Sequence, residues 1–77
     1  MITVHLLSGR AFSSGIVKIE VNYKSSINDM QNINDIKNEQ FFDYWYSRPT
    51  TTYKVTNGEI VFYFKGSVIE YLEVAKL

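Results

Sequence analysis

The 77-residue sequence contains no cysteine and only one histidine, His5. Without cysteine the chain has no disulfide, no thiolate metal site and no thiol nucleophile. One imidazole does not make a zinc site, and a catalytic triad would depend on His5 alone. His5 falls in an alternating segment, where an exposed structural side chain is the simpler interpretation. We therefore expect no enzymatic activity, no metal and no cofactor.

The sequence also lacks an excess of charge of either sign and long apolar runs. Eight basic and eight acidic side chains give a formal net charge of zero. Nucleic-acid-binding proteins draw affinity from phosphate neutralisation and tend to be basic, so neutrality argues against nucleic acid as a partner. No apolar run approaches the roughly 20 residues of a membrane span, and the N-terminal residues lack the pattern of a secretory signal. We expect a cytoplasmic protein without membrane contact.

The length fits a single domain, 1–77, with one core. A chain this short has modest stability unaided, so self-association would help it. Alternation of apolar and polar residues predicts five strands, of which the last also fits a helix but is rich in β-branched and aromatic residues. A bend or bulge is expected at Ser13-Ser14-Gly15 in the second strand. The predicted strands span residues 2 to 7, 12 to 23, 50 to 55, 60 to 64 and 67 to 75.

Between the second and third strands the spacing of apolar residues changes. They recur every three positions from 27 to 36, which predicts a helix over 27–38. Four asparagines in this stretch are poor helix formers, so a loop with one helical turn is the alternative. Pro49 disfavours helix at Arg48 and should end any helical structure there. The expected fold is α+β, mostly β: a small five-stranded antiparallel curled sheet or barrel with one helical insertion between strands 2 and 3.

Asn57-Gly58 lies between the third and fourth predicted strands. An Asn-Gly pair between two β-rich runs is typical of a tight hairpin. We expect a type I′ turn, in which Asn57 and Gly58 are the two central residues and both have positive φ.

Two segments carry a family resemblance. Residues 2 to 12 read Ile-Thr-Val-His-Leu-Leu-Ser-Gly-Arg-Ala-Phe and are followed by Gly15 and Ile16. The second segment is Phe64-Lys65-Gly66 with Ile69, Tyr71 and Leu72. Together they resemble the Sm-like family of small five-stranded β-barrels, whose members assemble into rings and bind RNA. Gly15 falls one residue later than the family pattern, and the family's N-terminal helix is missing.

The resemblance implies an RNA-binding ring protein in which Lys65 and Gly66 contact RNA. Independently of it, an exposed Tyr63 beside Lys65 would be available to stack on a base. Core packing and coverage of a sheet edge are the other interpretation of the strand Phe62-Tyr63-Phe64.

The densest unusual feature is Phe41-Phe42-Asp43-Tyr44-Trp45-Tyr46, which holds five aromatic residues in six positions and is followed by Arg48. Neither a helix nor a strand buries all of them on one face. Trp, Tyr and Arg dominate binding hot spots because they bury large areas at small entropic cost and also form hydrogen bonds. The alternative is that Phe41, Phe42 and Trp45 close the core beneath the sheet while the tyrosines cap it.

These patterns predict a small non-catalytic protein–protein interaction module. Its partner would be another protein or a second copy of the chain. The composition, rich in Ile, Asn, Lys, Phe and Tyr, resembles that of proteins from AT-rich genomes such as low-GC bacteria and their phages. A phage-type inhibitor of a host enzyme or defence complex is therefore one concrete version, and an Sm-like RNA-binding ring protein is the alternative. The predicted partner-binding residues are Phe42, Asp43, Tyr44, Trp45, Tyr46 and Arg48.

Overall fold

The fold is mostly β, as expected. The computed structural model describes residues 1–24 and 29–76. Short helical segments are the α-helix α1 (Glu39–Asp43) and the 3-10 helices Ile33–Asp35, Trp45–Ser47 and Gly66–Val68. The strands are β1 (Ile2–Leu6), β2 (Ala11–Ser13), β3 (Lys18–Asn22), β4 (Gln31–Asn32), β5 (Thr52–Asn57), β6 (Ile60–Lys65) and β7 (Ile69–Val74).

The strands form two antiparallel sheets, with the orders β2-β1-β7 and β4-β3-β5-β6. The prediction of a single five-stranded sheet or barrel was therefore wrong. Within the described part of the chain no ladder joins β6 to β7, so the sheets do not close into a barrel. The division arises inside the predicted strand 12–23, where the amides of Ile16 and Val17 both donate to the carbonyl of Ser13. This turn sends β2 into one sheet and β3 into the other.

Both sheets contribute to one hydrophobic core. Alternation directs every second side chain of β1, β3 and β5 inward, as the sequence pattern predicted. Aromatic contacts join the sheets, because the Phe12 ring of β2 lies 5.2 Å from that of Phe62 and 6.0 Å from that of Phe64 on β6. The buried apolar side chains are Ile2, Val4, Phe12, Ile19, Val21, Ile33, Ile36, Phe41, Tyr53, Val55 and Ile69.

The helical insertion expected between the second and third predicted strands is present as α1 (Glu39–Asp43) and short 3-10 helices. The position predicted for the helix, 27–38, was wrong in its described part, residues 29–38. This part holds β4, a 3-10 helix and a loop, and residues 27 and 28 lie outside the described ranges. The three-residue spacing nevertheless reflects burial, since Ile33 and Ile36 both lie in the core. A 3-10 helix has three residues per turn, which places positions i and i+3 on one side. The Asn32 side chain caps this turn by accepting from the Asn34 amide at 2.9 Å.

The hairpin between β5 and β6 is confirmed, but its turn type is corrected. Asn57 pairs with Ile60, so the two loop residues are Gly58 and Glu59. Gly58 has φ +60°, and no non-glycine residue among those described has positive φ. Positive φ at the first central position only, occupied by glycine, is the type II′ pattern.

The C-terminal segment is a strand, as its β-branched content predicted. It begins at Ile69, directly after the 3-10 helix Gly66–Val68, and pairs with β1. Helical structure before Pro49 ends at Ser47, as the proline predicted.

Candidate functional site

The aromatic run divides at Tyr44. Asn38 caps α1, its side chain accepting from the Gln40 amide at 3.0 Å. The helix directs Phe41 into the core, where its ring lies 5.0 Å from that of Tyr23. At Tyr44 the backbone leaves the helical conformation, with φ −141° and ψ −52°. The residues after this break are therefore free to point elsewhere.

Beyond the break, Tyr44, Trp45 and Arg48 form a surface cluster. The rings of Tyr44 and Trp45 meet edge to face at 5.1 Å. The Arg48 guanidinium lies 4.7 Å from the centre of the Tyr44 ring, within the range of a cation–π contact. Tyr44 is 50% exposed and Trp45 half-buried. We call these three residues the aromatic–arginine cluster.

The backbone of this cluster is held by contacts from the sheet. The Tyr53 hydroxyl donates to the Tyr46 carbonyl at 2.8 Å, and the Thr51 hydroxyl donates to the Trp45 carbonyl. Burial, reinforced by the neighbouring Tyr46, raises the pKa of Tyr53 well above its ordinary value of 10.0. Tyr53 is therefore a neutral donor at physiological pH, and its side chain fixes the position of the segment.

Gly66 completes this support. A Cβ at Gly66 would lie 2.5 Å from the carbonyl oxygens of both Tyr46 and Arg48. Only glycine permits the 3-10 helix Gly66–Val68 to lie so close to the segment that carries the cluster. Gly66 is buried, so the residue that the Sm-like resemblance implied as an RNA contact packs here against backbone.

A cleft of about 730 Å³ opens beside Trp45. Trp45 and Tyr23 supply aromatic surface, while Lys24 and Lys65 supply positive charge. None of the described lining residues is acidic. The Lys65 ammonium donates to the Thr52 hydroxyl at 3.0 Å, which holds its charge near the wall. The lining residues are Asn22, Tyr23, Lys24, Asn38, Trp45, Thr50, Thr52 and Lys65.

The cleft lies at one end of the outer face of the four-stranded sheet. Strand pairing places Asn22, Thr52 and Lys65 in one cross-strand row, which forms part of the cleft wall. The next row on the same face contains Glu20, Lys54 and Tyr63, and the one after it Lys18, Thr56 and Val61. This face thus holds three lysines and one glutamate although the whole chain is neutral.

The structure brings together some of the predicted site residues and separates others. Trp45, predicted as a protein contact, and Lys65, predicted as an RNA contact, line the same cleft. Phe42 and Tyr46 are half-buried and pack against the core, while Asp43 is exposed outside the cleft. Tyr63 is 68% exposed on the outer sheet face, beside Lys54.

Sequence reasoning missed six of the eight lining residues, namely Asn22, Tyr23, Lys24, Asn38, Thr50 and Thr52. The available signal was a Tyr-Lys pair directly after an alternating strand. Joining that pair to Trp45 requires the tertiary fold, because 21 positions separate Lys24 from Trp45 along the chain.

The single histidine lies away from the cleft, on β1. Its Nε2 atom is 2.9 Å from a carboxylate oxygen of Glu73, and its ring stacks on Tyr71 at 4.2 Å. Across residues 1–24 and 29–76, no group of three His, Asp or Glu side chains is arranged to hold a metal ion.

Comparisons with protein-family models, with curated proteins and with solved structures give no match for this chain. Among the helices described, none has the length and apolarity needed to cross a bilayer.

Proposed function

We propose that this protein is a non-catalytic binding module that captures an extended acidic segment of a protein partner in the cleft beside Trp45. The observation that carries the proposal is the position of Trp45, which contributes to the cleft wall next to the exposed Tyr44–Arg48 pair. Trp, Tyr and Arg are the residue types most enriched among the hot spots of protein interfaces, and such residues lie in or beside pockets that the partner fills.

The charge of the lining residues selects the partner. Lys24 and Lys65 lie on the cleft wall without an acidic neighbour among the described lining residues. An acidic segment would neutralise them, whereas a basic segment would be repelled. Trp45 and Tyr23 add apolar area, so the preferred segment carries aromatic or aliphatic side chains beside its carboxylates.

Inhibition is the concrete form of this function that we favour. A 77-residue chain that binds an acidic surface of a host enzyme or defence complex would act by occlusion and needs no chemistry of its own. A phage-type inhibitor fits this description, with Tyr44 and Arg48 extending the contact beyond the cleft.

Trp45 provides the test, because it is the only tryptophan in the chain. Synthetic peptides that alternate Glu with Leu or Phe should change its fluorescence and bind saturably, and peptides with Lys in place of Glu should not. Lys24→Ala and Lys65→Ala should each weaken peptide binding. Trp45→Ala, whose binding must be measured by calorimetry because the variant has no tryptophan, should weaken it at least about thirtyfold.

Two variants provide matched controls. Lys37→Ala removes a lysine that does not line the cleft, and Tyr71→Ala removes an exposed aromatic side chain of the other sheet. Both should bind as the wild type does. Equal loss in Lys37→Ala and Lys65→Ala would show that the cleft is not the binding surface.

A second candidate function is binding of single-stranded nucleic acid on the outer sheet face. The observation in its favour is Tyr63, which is 68% exposed directly opposite Lys54 on the neighbouring strand. Aromatic side chains that stack on bases between lysines are typical of such surfaces. Because the net charge is zero, we expect this binding to be weak at physiological salt.

Anisotropy of labelled uridine-rich and adenine-rich oligonucleotides tests this candidate. Submicromolar binding that is lost in Tyr63→Ala and Lys65→Ala but retained in Tyr44→Ala would reverse our ranking. Binding weaker than micromolar, unchanged in Tyr63→Ala, would remove nucleic acid from consideration.

A further inference from the structure

The strand β6 is the long open edge of the four-stranded sheet. It pairs with β5 on one side, and no other strand among the described residues pairs with it. Soluble proteins protect such edges with charges, proline, bulges or short length. The five residues Ile60-Val61-Phe62-Tyr63-Phe64 carry no charge and no proline, and their register with β5 is unbroken. Charge lies beside them, at Lys65, which ends the strand, and at Arg10, whose guanidinium is 4.9 Å from the centre of the Phe62 ring.

The other sheet edges carry such protection. Strands β2 and β4 are only three and two residues long. Strand β7 has an irregular register with β1 and carries Glu70 and Glu73. The contrast singles out β6 as the edge able to accept another strand.

Hairpin geometry identifies the backbone groups that β6 leaves free. A two-residue hairpin closes on a hydrogen-bonded pair, here Asn57 and Ile60, and bonded pairs then alternate along the ladder. Ile60, Phe62 and Phe64 thus bond to β5. The N–H and C=O groups of Val61 and Tyr63 point away from the sheet, and these two residues are 41% and 68% exposed.

We propose that two copies of this chain pair antiparallel along β6, with the two-fold axis at Phe62. The two four-stranded sheets then join into one continuous sheet. Val61 of one copy lies opposite Tyr63 of the other, and their free backbone groups bond to each other. An aromatic and a β-branched side chain opposite one another also stabilise a strand pair.

Charge selects this register. With the axis at Phe62, Glu59 of each copy lies opposite Lys65 of the other. An axis at Val61 would place Glu59 opposite Tyr63 instead, and an axis at Tyr63 would place Lys65 opposite Val61. Glu59 is exposed and forms no ion pair within the described residues, so its carboxylate is available.

Light scattering after size exclusion, on the full chain at low salt and rising concentration, tests the proposal. The wild type should show a monomer–dimer equilibrium. Tyr63→Pro removes an outward amide that the monomer does not use, so the variant should fold but not dimerise. Tyr63→Val keeps this amide and should still dimerise, which separates the backbone contribution from that of the ring.

Charge reversal tests the register without proline. Glu59→Lys and Lys65→Glu should each weaken the dimer roughly tenfold, because like charges then face each other twice. The double variant Glu59→Lys/Lys65→Glu should restore wild-type dimerisation, which a merely structural effect would not do.

Three results would overturn the proposal. They are a wild type that stays monomeric up to millimolar concentration, a dimer that survives Tyr63→Pro, and a double charge reversal that fails to restore the affinity. The first is also the result expected if this edge accepts an extended peptide from another protein.

Discussion

Phe41 and Tyr44 belong to the same six-residue aromatic run but have opposite environments. Phe41 is completely buried between the rings of Tyr23 and Phe42, whereas Tyr44 is half-exposed beneath Arg48. Composition does not separate the two positions. The difference is produced by the backbone, which leaves the helical conformation at Tyr44. Two residues with similar burial tendencies are thus assigned to core and surface by a single helix end.

Hydrogen bonds to the backbone hold the exposed second half of the aromatic run in place. Trp45 and Tyr46 pack only partly against the core, yet their carbonyls accept hydrogen bonds from Thr51 and Tyr53. Fixed backbone with exposed side chains is the arrangement that binding surfaces require, because little entropy remains to be lost on binding.

The largest loss of stability is expected at Phe41, the buried end of the aromatic run. Phe41→Ala should destabilise the protein by about 3 to 5 kcal/mol, because it removes a fully buried ring and leaves a cavity. That amount is comparable to the whole stability of a domain this small. Urea denaturation followed by circular dichroism measures it. A folded variant with an unchanged midpoint would contradict the division of the run into core and surface.

The second largest loss of stability is expected at Gly66, which packs against the backbone of the segment that carries the aromatic–arginine cluster. Gly66→Ala should cost about 1 to 3 kcal/mol, because the new methyl group would meet two backbone carbonyls. The same denaturation experiment applies, with Gly9→Ala as the comparison: at φ +93° it has no atom within 4 Å, so it reports backbone strain without a clash. A smaller loss at Gly66 than at Gly9 would argue against the close approach.

A smaller effect is expected for the hydroxyl that anchors the cluster. Tyr53→Phe should cost about 1 to 2 kcal/mol, because the carbonyl of Tyr46 loses its donor in a partly buried site.

The same hydroxyl gives a pH dependence of known sign. Its pKa is higher in the folded state than the unfolded value of 10.0, so its contribution to stability is complete below pH 10 and is lost as the pH rises above it. Between pH 8 and about 11 the melting midpoint should therefore fall less steeply with pH for Tyr53→Phe than for the wild type. Parallel curves would show that this hydroxyl is not protected by burial.

The smallest effect on folding is expected at Tyr44. Tyr44→Ala should change the unfolding free energy by no more than about 0.5 kcal/mol, as is usual for an exposed side chain. If the proposed function is correct, it should still reduce binding of the acidic peptides, measured by Trp45 fluorescence. A large loss of stability here would place the whole run in the core, as the alternative interpretation of the sequence supposed.

Local patterns located most of the strands but missed β4 and joined β2 and β3 into one. Alternation located β1 and β3 through their buried positions, and β-branched content correctly favoured a strand after Gly66. The helix prediction failed because a spacing of three was interpreted as α-helical, whereas Ile33 and Ile36 are aligned by a 3-10 turn. Position 57 was assigned to the turn because Asn-Gly is the usual type I′ pair, but pairing with β6 extends to Asn57 itself.

The candidate site was only half predictable. Trp45 and Arg48 stood out because their residue types are common in interfaces, and Lys65 because of its glycine neighbour. No local pattern indicated that Trp45 and Lys65 line one cleft, or that Tyr23 and Lys24 join them.

By itself the sequence determined the secondary-structure class, the inward faces of the strands and the unusual density of aromatic residues, because these depend on short-range alternation and residue type. Tertiary structure decided the division into two sheets, the burial of Gly66 against the Tyr46 carbonyl, and which aromatic rings remain on the surface. These outcomes depend on strand register and on hydrogen bonds between residues far apart in the chain. Such long-range pairings have no counterpart in local spacing, so only the folded chain can assign them.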